Sequence, residues 1–237
     1  MKMKLLLTLI SLFSSSAFSY QNLVLISAPG SGKGTLSQYL VKQHNYAHIG
    51  AGDLVRAEIA SESELGKQIA PIVNAGDYLP EQLMCAIIEK HLLAALKEQK
   101  RFILDGFPRS TFSIEFLDQF LIEHKLTNQV CFIQLLAEDI DYIERITNRQ
   151  VCPSCFHVYN LKTSQPKVEN ICDHCQNNLT TRVADTLNII RKRLTYFHNQ
   201  IEPLLNLISQ KYPVIRIDAS QKTLLELTQE YEQIINK

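Results

Sequence analysis

The chain has no net charge: 24 lysines and arginines balance 24 aspartates and glutamates over 237 residues. With no overall field, neither nucleic acid nor an anionic membrane surface is an expected partner, and any attraction for phosphate must be local. A long apolar run is also missing. The one near the start, residues 5–13, is too short to span a bilayer comfortably, which disfavours a stable transmembrane anchor. There is no internal repeat and no low-complexity tract, which excludes solenoid and tract-like architectures; Gln and Asn merely become common around residues 160–180. No exposed apolar stripe demands a partner, so a monomer is expected. The length is ordinary for one doubly wound α/β core with insertions.

What is present is a phosphate-binding signature. Ser27-Ala28-Pro29-Gly30-Ser31-Gly32-Lys33-Gly34-Thr35 directly follows the apolar run Leu23-Val24-Leu25-Ile26, so a strand feeds a glycine-rich loop and then a helix. Gly30, Ser31, Gly32 and Gly34 let backbone N–H groups turn inward around phosphate oxygens, and Lys33 supplies a point charge to the outer phosphates. Thr35 is placed to meet magnesium, and the chain is expected to bind a nucleoside triphosphate. The generic pattern has Gly where Ser27 stands, and Ser or Thr straight after the lysine, where Gly34 intervenes.

Five short apolar runs, residues 23–27, 46–49, 101–104, 129–135 and 213–217, read as strands, each followed by a turn or helix signal. Strands alternating with helices predict a parallel sheet. Leu83, Met84, Ile87, Ile88, Leu92 and Leu96 recur at helical spacing, as do Leu224, Leu227, Tyr231 and Ile234; both stripes read as core faces. Two insertions break the alternation. Residues 50–79 look helical, with Asp53 or Ser61 as caps and Pro71 and Gly76 as punctuation; residues 150–182 are polar. Ligands are expected at the carboxyl ends of the strands, where Gly30, Asp105 and both insertions emerge.

Within the second insertion, Cys152-Pro153-Ser154-Cys155 and Cys172-Asp173-His174-Cys175 form two C-x2-C units separated by sixteen residues. This spacing allows four thiolates to surround one ion, with structural zinc the natural occupant. A closed four-thiolate site has no open position and so no catalytic role. One or two disulfides are the alternative, favoured by export. Cys85 and Cys131 lie in apolar runs and read as inert core thiols.

The proline-glycine within the loop and the Gly-Thr after its lysine resemble the adenylate kinase family and its nucleoside monophosphate kinase relatives. So do His48-Ile49-Gly50-Ala51-Gly52-Asp53-Leu54-Val55-Arg56, Ala75-Gly76-Asp77-Tyr78-Leu79-Pro80, Leu104-Asp105-Gly106-Phe107-Pro108-Arg109, Thr180-Thr181-Arg182 and Arg191-Lys192-Arg193, which run in family order. The cysteine spacing is similar to the zinc-bearing lid of bacterial long-lid members. The resemblance implies a P-loop NTPase fold of class α/β, a five-stranded parallel sheet flanked by helices, with an inserted NMP-binding domain (50–79) and a zinc-containing lid (150–182). The core would comprise 20–49, 80–149 and 183–237.

The resemblance further implies reversible transfer from MgATP to AMP, giving two ADP. Catalytic roles fall on Lys33, Arg109, Arg149, Arg182 and Arg193, because transfer between phosphates needs positioning and charge neutralisation more than covalent help. Arg145 and Arg149 join the loop in binding ATP. Ala51, Arg56, Leu79, Gly106, Arg109, Arg182 and Arg193 take the monophosphate, and Asp105 with Thr35 supports magnesium or the loop lysine. The match frays in places. Ala51 and Ser113 stand where adenylate kinases usually carry Thr and Gln against the base, and Ala51 in Ala-Gly-Asp-Leu resembles UMP/CMP kinases, which have short lids without the cysteines. Selectivity for a pyrimidine, or relaxed selectivity, is therefore the alternative, and a weakly active nucleotide-binding protein a further one. Ser27 would slow turnover if its position required positive φ. The family's two-acid pair is here Ala184-Asp185, leaving Asp185 to tie down Arg182 or contact the lid.

Residues 1–19 stand apart from this core. Lys2 and Lys4 precede the apolar run, and Ala17-Phe18-Ser19 offers a small-residue cleavage site before Tyr20, a secretory signal-peptide pattern. ATP use and a thiolate cluster favour the cytoplasm instead, with a misassigned start codon or a tolerated extension as the alternatives to export.

Overall fold

The computed structural model describes residues 21–220 and 222–235; the leader-like segment 1–19 lies outside them. Along the chain come β1 (Asn22–Leu25), α1 (Lys33–His44), β2 (Ala47–Gly50), α2 (Ala51–Ala60), α3 (Glu64–Asn74), α4 (Glu81–Lys97) and β3 (Phe102–Asp105). Then follow α5 (Thr111–Glu123), β4 (Val130–Leu136), α6 (Asp139–Thr147), the short strands β5 (Arg149–Val151) and β6 (Val158–Asn160), and α7 (Leu187–Tyr196). A π-helical turn (Phe197–Ile201), α8 (Leu204–Ile208), β7 (Val214–Asp218) and α9 (Leu224–Ile235) complete it. Among the described residues no helix is long and apolar enough to cross a membrane.

Five strands form one parallel sheet in the order β2-β3-β1-β4-β7. Four of the five predicted runs are displaced by a single residue, and the first strand ends two residues early, where the glycine loop begins. The three central strands, β3, β1 and β4, alternate between two buried faces, the pattern of a parallel sheet covered on both sides. Val24 and Leu104 face a core with Ile88 and Leu92 of α4, Leu117 and Leu121 of α5, and Ile190 and Leu194 of α7. Leu23, Leu25, Ile103, Cys131 and Ile133 face the other, with Leu36 and Leu40 of α1 and Leu227, Tyr231 and Ile234 of α9. Burial first pushes the thiols of Cys85 and Cys131 up to about 11 and about 12, so both are inert at neutral pH.

Strand order reverses at β1, with β3 on one side and β4 on the other, and the crevice for a ligand opens at such a switch point. Register sets what meets there. Leu25 lies opposite Asp105, and Gly50 on β2 also pairs with Asp105, so the loop after β1, the end of β3 and the start of α2 emerge side by side.

In the first insertion the expected caps differ from those found. Asp53 sits in the first turn of α2, and Ser61 closes that helix rather than opening the next. The N-cap of α3 is Ser63, whose Oγ accepts from Gly66 N at 2.9 Å. Pro71 lies inside α3, and the chain turns only at Gly76, with φ +83°.

Candidate active site

The loop after β1 is built by its glycines. Gly30 has φ +82°, and a side chain there would place Cβ 2.7 Å from the Tyr142 carbonyl oxygen, so only glycine fits. Gly32 caps α1 at φ +96°, and α1 has no acidic residue in its first turn to offset its positive end. Lys33 Nζ donates to the carbonyls of Ser27 (3.0 Å) and Ala28 (2.9 Å) and to Ser31 Oγ (3.2 Å), folding back over its own loop. Burial lowers its pKa to about 8, with Asp105 opposing the shift and the charges of Arg109 and Arg149 adding to it.

Ser27 carries no strain, because it is absent from the positive-φ residues. Its buried Oγ accepts from Leu135 N at 2.7 Å, joining β1 to β4 just below the loop. The missing glycine is thus a structural substitution, and the expected handicap to turnover has no conformational basis.

Asp105 ends β3 beside His48, whose Nε2 lies 3.8 Å from its Oδ2. Burial alone would raise this carboxyl, but the neighbouring His48 and the charges of Lys33 and Arg109 hold it below the ordinary carboxylate value. His48 opens one of the family-resembling segments, but nothing in the sequence pairs it with Asp105. One residue on, Gly106 takes φ +75°, and its carbonyl accepts from Arg109 Nε at 2.5 Å.

Every predicted site residue apart from the cysteines lines one cleft of about 1310 Å³. Arg56 pairs with Asp53 one helical turn away. Arg145 Nη2 donates to the Ala219 carbonyl at 2.6 Å. Arg149 grips Asp185 with two bonds, Nε to Oδ2 at 2.9 Å and Nη2 to Oδ1 at 2.6 Å. Asp185 therefore ties down Arg149, whereas the sequence suggested Arg182 or a contact with the lid. Burial, then the like charges of Arg149 and Arg56, push Arg182 well below the ordinary guanidinium value, and its buried Nε makes no hydrogen bond among the described residues. Burial likewise lowers Arg193. So many cations in one cleft, with two buried guanidinium nitrogens, Arg56 Nε and Arg182 Nε, that make no hydrogen bond among the described residues, make a place for a polyanion on a chain of zero net charge.

Ser113, which stands where the family carries a base-contacting Gln, has its hydroxyl committed elsewhere. Its Oγ accepts from Arg109 N and Ser110 N, both at 2.9 Å, and Ser110 and Ser113 form a reciprocal cap on α5. Ala51 is buried at the start of α2.

The cysteines converge 152 to 175: their four sulfurs all lie within 4.8 Å of one another. The shortest separations, 3.3 Å for Cys152 to Cys175 and 3.5 Å for Cys155 to Cys172, are far longer than the roughly 2.05 Å of a disulfide. The two C-x2-C units repeat one geometry. Phe156 and Gln176, each following the second cysteine, adopt φ +59° and +62° and donate their N–H to the carbonyl of the first cysteine at 2.9 Å. Tyr159 O–H and Asn177 Nδ2 point at the sulfurs of Cys172 (3.6 Å) and Cys175 (3.4 Å). Only Cys152, Tyr159, Cys172 and Leu179 form a buried core here. The donor set, closed and all thiolate, is compatible with structural zinc.

A glycine loop at the switch point of a five-stranded parallel sheet, opening into a cationic cleft, defines a P-loop phosphotransferase. A sequence profile of the family described as adenylate kinase matches residues 25–212. The adenylate kinase of Borrelia garinii subsp. bavariensis is 37% identical over 198 residues, covering 84% of this chain and 90% of that protein. That of Caldanaerobacter subterraneus subsp. tengcongensis is 37% identical over 202 residues, covering 84% and 89%. That of Thermococcus kodakarensis is 32% identical over 197 residues, covering 83% and 86%. The chain belongs to the adenylate kinase family.

Proposed function

We propose that the chain transfers the γ-phosphoryl group of MgATP to AMP, reversibly, giving two ADP. The observation that carries this reading is the single cleft joining the glycine loop to Arg56, Arg109, Arg145, Arg149, Arg182 and Arg193. An oxygen of the acceptor phosphate forms a bond to Pγ while the bond from Pγ to the bridging oxygen breaks, its electron pair leaving with ADP. The protein need move no proton; it must hold two mutually repelling anions in line and neutralise the group in flight.

Gly30 to Thr35 cradle the triphosphate, and Lys33 leaves its carbonyl partners for the outer phosphates. Arg145 and Arg149 flank ATP. Arg56 and Arg109 take the acceptor phosphate, and Arg182 and Arg193 stand between the two, where planar guanidinium forks suit phosphate oxygens. Ala51, Leu79 and Gly106 form the acceptor's apolar wall. Thr35 and Asp105 would hold the magnesium that accompanies ATP, which supplies further charge neutralisation. Residues 50–79 serve as the monophosphate-binding domain and 150–182 as a lid that excludes water. In the lid, Cys152, Cys155, Cys172 and Cys175 would hold zinc, whose contribution is structural.

One observation favours a second reading of the acceptor. The Ser113 hydroxyl is committed to the α5 cap and Ala51 has no polar side-chain atom, so neither position offers the base a hydrogen bond. Sites that read a base by hydrogen bonds discriminate by orders of magnitude more than sites that do not, so selectivity broader than AMP is consistent with this pocket. The test is a transfer assay with MgATP against AMP, CMP, UMP and GMP, run beside Lys33→Ala. Preference for AMP supports the first reading and preference for a pyrimidine the second; no transfer to any acceptor defeats both and leaves a nucleotide-binding protein.

A further inference from the structure

The arginines of the cleft are held in place by different means. Arg56 is held by Asp53 and Arg149 by Asp185, each a carboxylate that takes up part of the charge it positions. Among the described residues no carboxylate pairs with Arg109. Its Cζ lies instead 4.4 Å from the centre of the Tyr78 ring, and its only side-chain hydrogen bond there is from Nε to the Gly106 carbonyl. Tyr78 is itself fixed from behind. Its ring meets that of Tyr196 on α7 at 4.8 Å and 48°.

The segment that carries Tyr78 is seated along α7. Lys192 Nζ donates to Asp77 Oδ1 at 2.5 Å, and Arg193 Nε to the Gly76 carbonyl at 3.3 Å. Gly76 lies so close to the helix that a Cβ there would stand 2.5 Å from Ile189 Cγ2, and its φ of +83° likewise favours glycine. The Tyr78 phenol also lies near enough to Arg193 to work against the lowering of that guanidinium by burial.

We propose that Tyr78 is a positioning residue for Arg109, its ring orienting the guanidinium toward the acceptor phosphate without neutralising it, with Tyr196 as the backing that holds the ring. An aromatic face attracts a cation through its quadrupole and leaves both Nη groups free to donate. A carboxylate in the same place would compete with phosphate for those donors. The inference rests on the proposed monophosphate kinase reading and names the element that aligns its acceptor arginine.

The experiment compares Tyr78→Phe, which keeps the ring, with Tyr78→Leu, which keeps apolar bulk but removes the π face, and with Tyr196→Leu. Steady-state rates are measured with AMP varied and then with MgATP varied, and AMP binding is measured by calorimetry. Tyr78→Leu is expected to raise KM and Kd for AMP about three- to tenfold, the range for a partly desolvated cation–π contact, with KM for MgATP unchanged. Tyr78→Phe should stay close to the parent chain and Tyr196→Leu should fall between. Unchanged AMP affinity in Tyr78→Leu would overturn the proposal. So would an equal rise in KM for MgATP, which would indicate general damage, or a loss in Tyr78→Phe as large as in Tyr78→Leu, which would assign the effect to the hydroxyl. A parent chain that binds AMP but does not phosphorylate it refutes the functional reading alone, and calorimetry on the three variants still decides the role of Tyr78.

Discussion

Replacing Asp185 with Asn tests the two-bonded ion pair that holds Arg149 in the cleft. Asp185 is 5% exposed and Arg149 18%, and two charge-assisted bonds of 2.9 and 2.6 Å join them. Asn keeps one acceptor but loses the charge, leaving Arg149 unpaired near Arg182 and Lys33, whose pKa values it already depresses. Breaking a buried pair costs about 3–5 kcal/mol when one charge is stranded. Here the stranded partner keeps a neutral hydrogen bond and some contact with water, so we expect a loss of about 2–3 kcal/mol. Urea unfolding of Asp185→Asn, Arg149→Gln and the double variant measures it. Each single change strands the other partner, so the double variant should be more stable than the sum of the single losses by about 2 kcal/mol. Losses that add to within about 0.5 kcal/mol would show that the two groups do not interact in solution, and the assignment of Asp185 to Arg149 would fall.

Other outcomes follow from the same geometry. Ser27→Ala removes the acceptor of the buried Leu135 N–H and should cost about 1–2 kcal/mol in urea unfolding without moving KM for MgATP; a neutral result would mean that the hydroxyl is not what joins β1 to β4. Lys33 holds its proton less tightly folded, at about 8, than unfolded, near 10.5, so the unfolded chain binds more protons between these values. Stability relative to Lys33→Met should therefore rise with pH across that window, its penalty being full below it. A bound triphosphate restores the proton, so MgATP binding should take up protons above pH 8 and weaken as pH rises, as calorimetry in buffers of different ionisation enthalpy would show; pH-independent binding would contradict the placement of Lys33. For the lid, one zinc per chain should survive gel filtration. Cys172→Ser should release it and open residues 150–182 to protease, because such sites contribute about 10–16 kcal/mol of binding free energy and the lid buries few side chains of its own. Metal-free protein with intact lid resistance would refute this.

The five strands, the loop and the cysteine pairs were legible in the chain because each is a local pattern: an apolar run of strand length, glycines at fixed offsets, thiols two residues apart. Helix caps in the first insertion were not, since Asp53, Ser61 and Ser63 are all competent caps and only Ser63 opens a helix. Nor was the fate of Ser113, which lines the cleft but commits its hydroxyl to the cap of α5. By itself the sequence determined where the strands, the glycine loop and the cysteine pairs fall, because propensity, periodicity and turn geometry act over a few residues. Only the tertiary structure decided that Asp185 meets Arg149, that Ser27 serves β4, that Asp105 stands beside His48 and that Tyr78 lies on Arg109. These partners are brought together by strand order and helix packing, which local spacing does not encode.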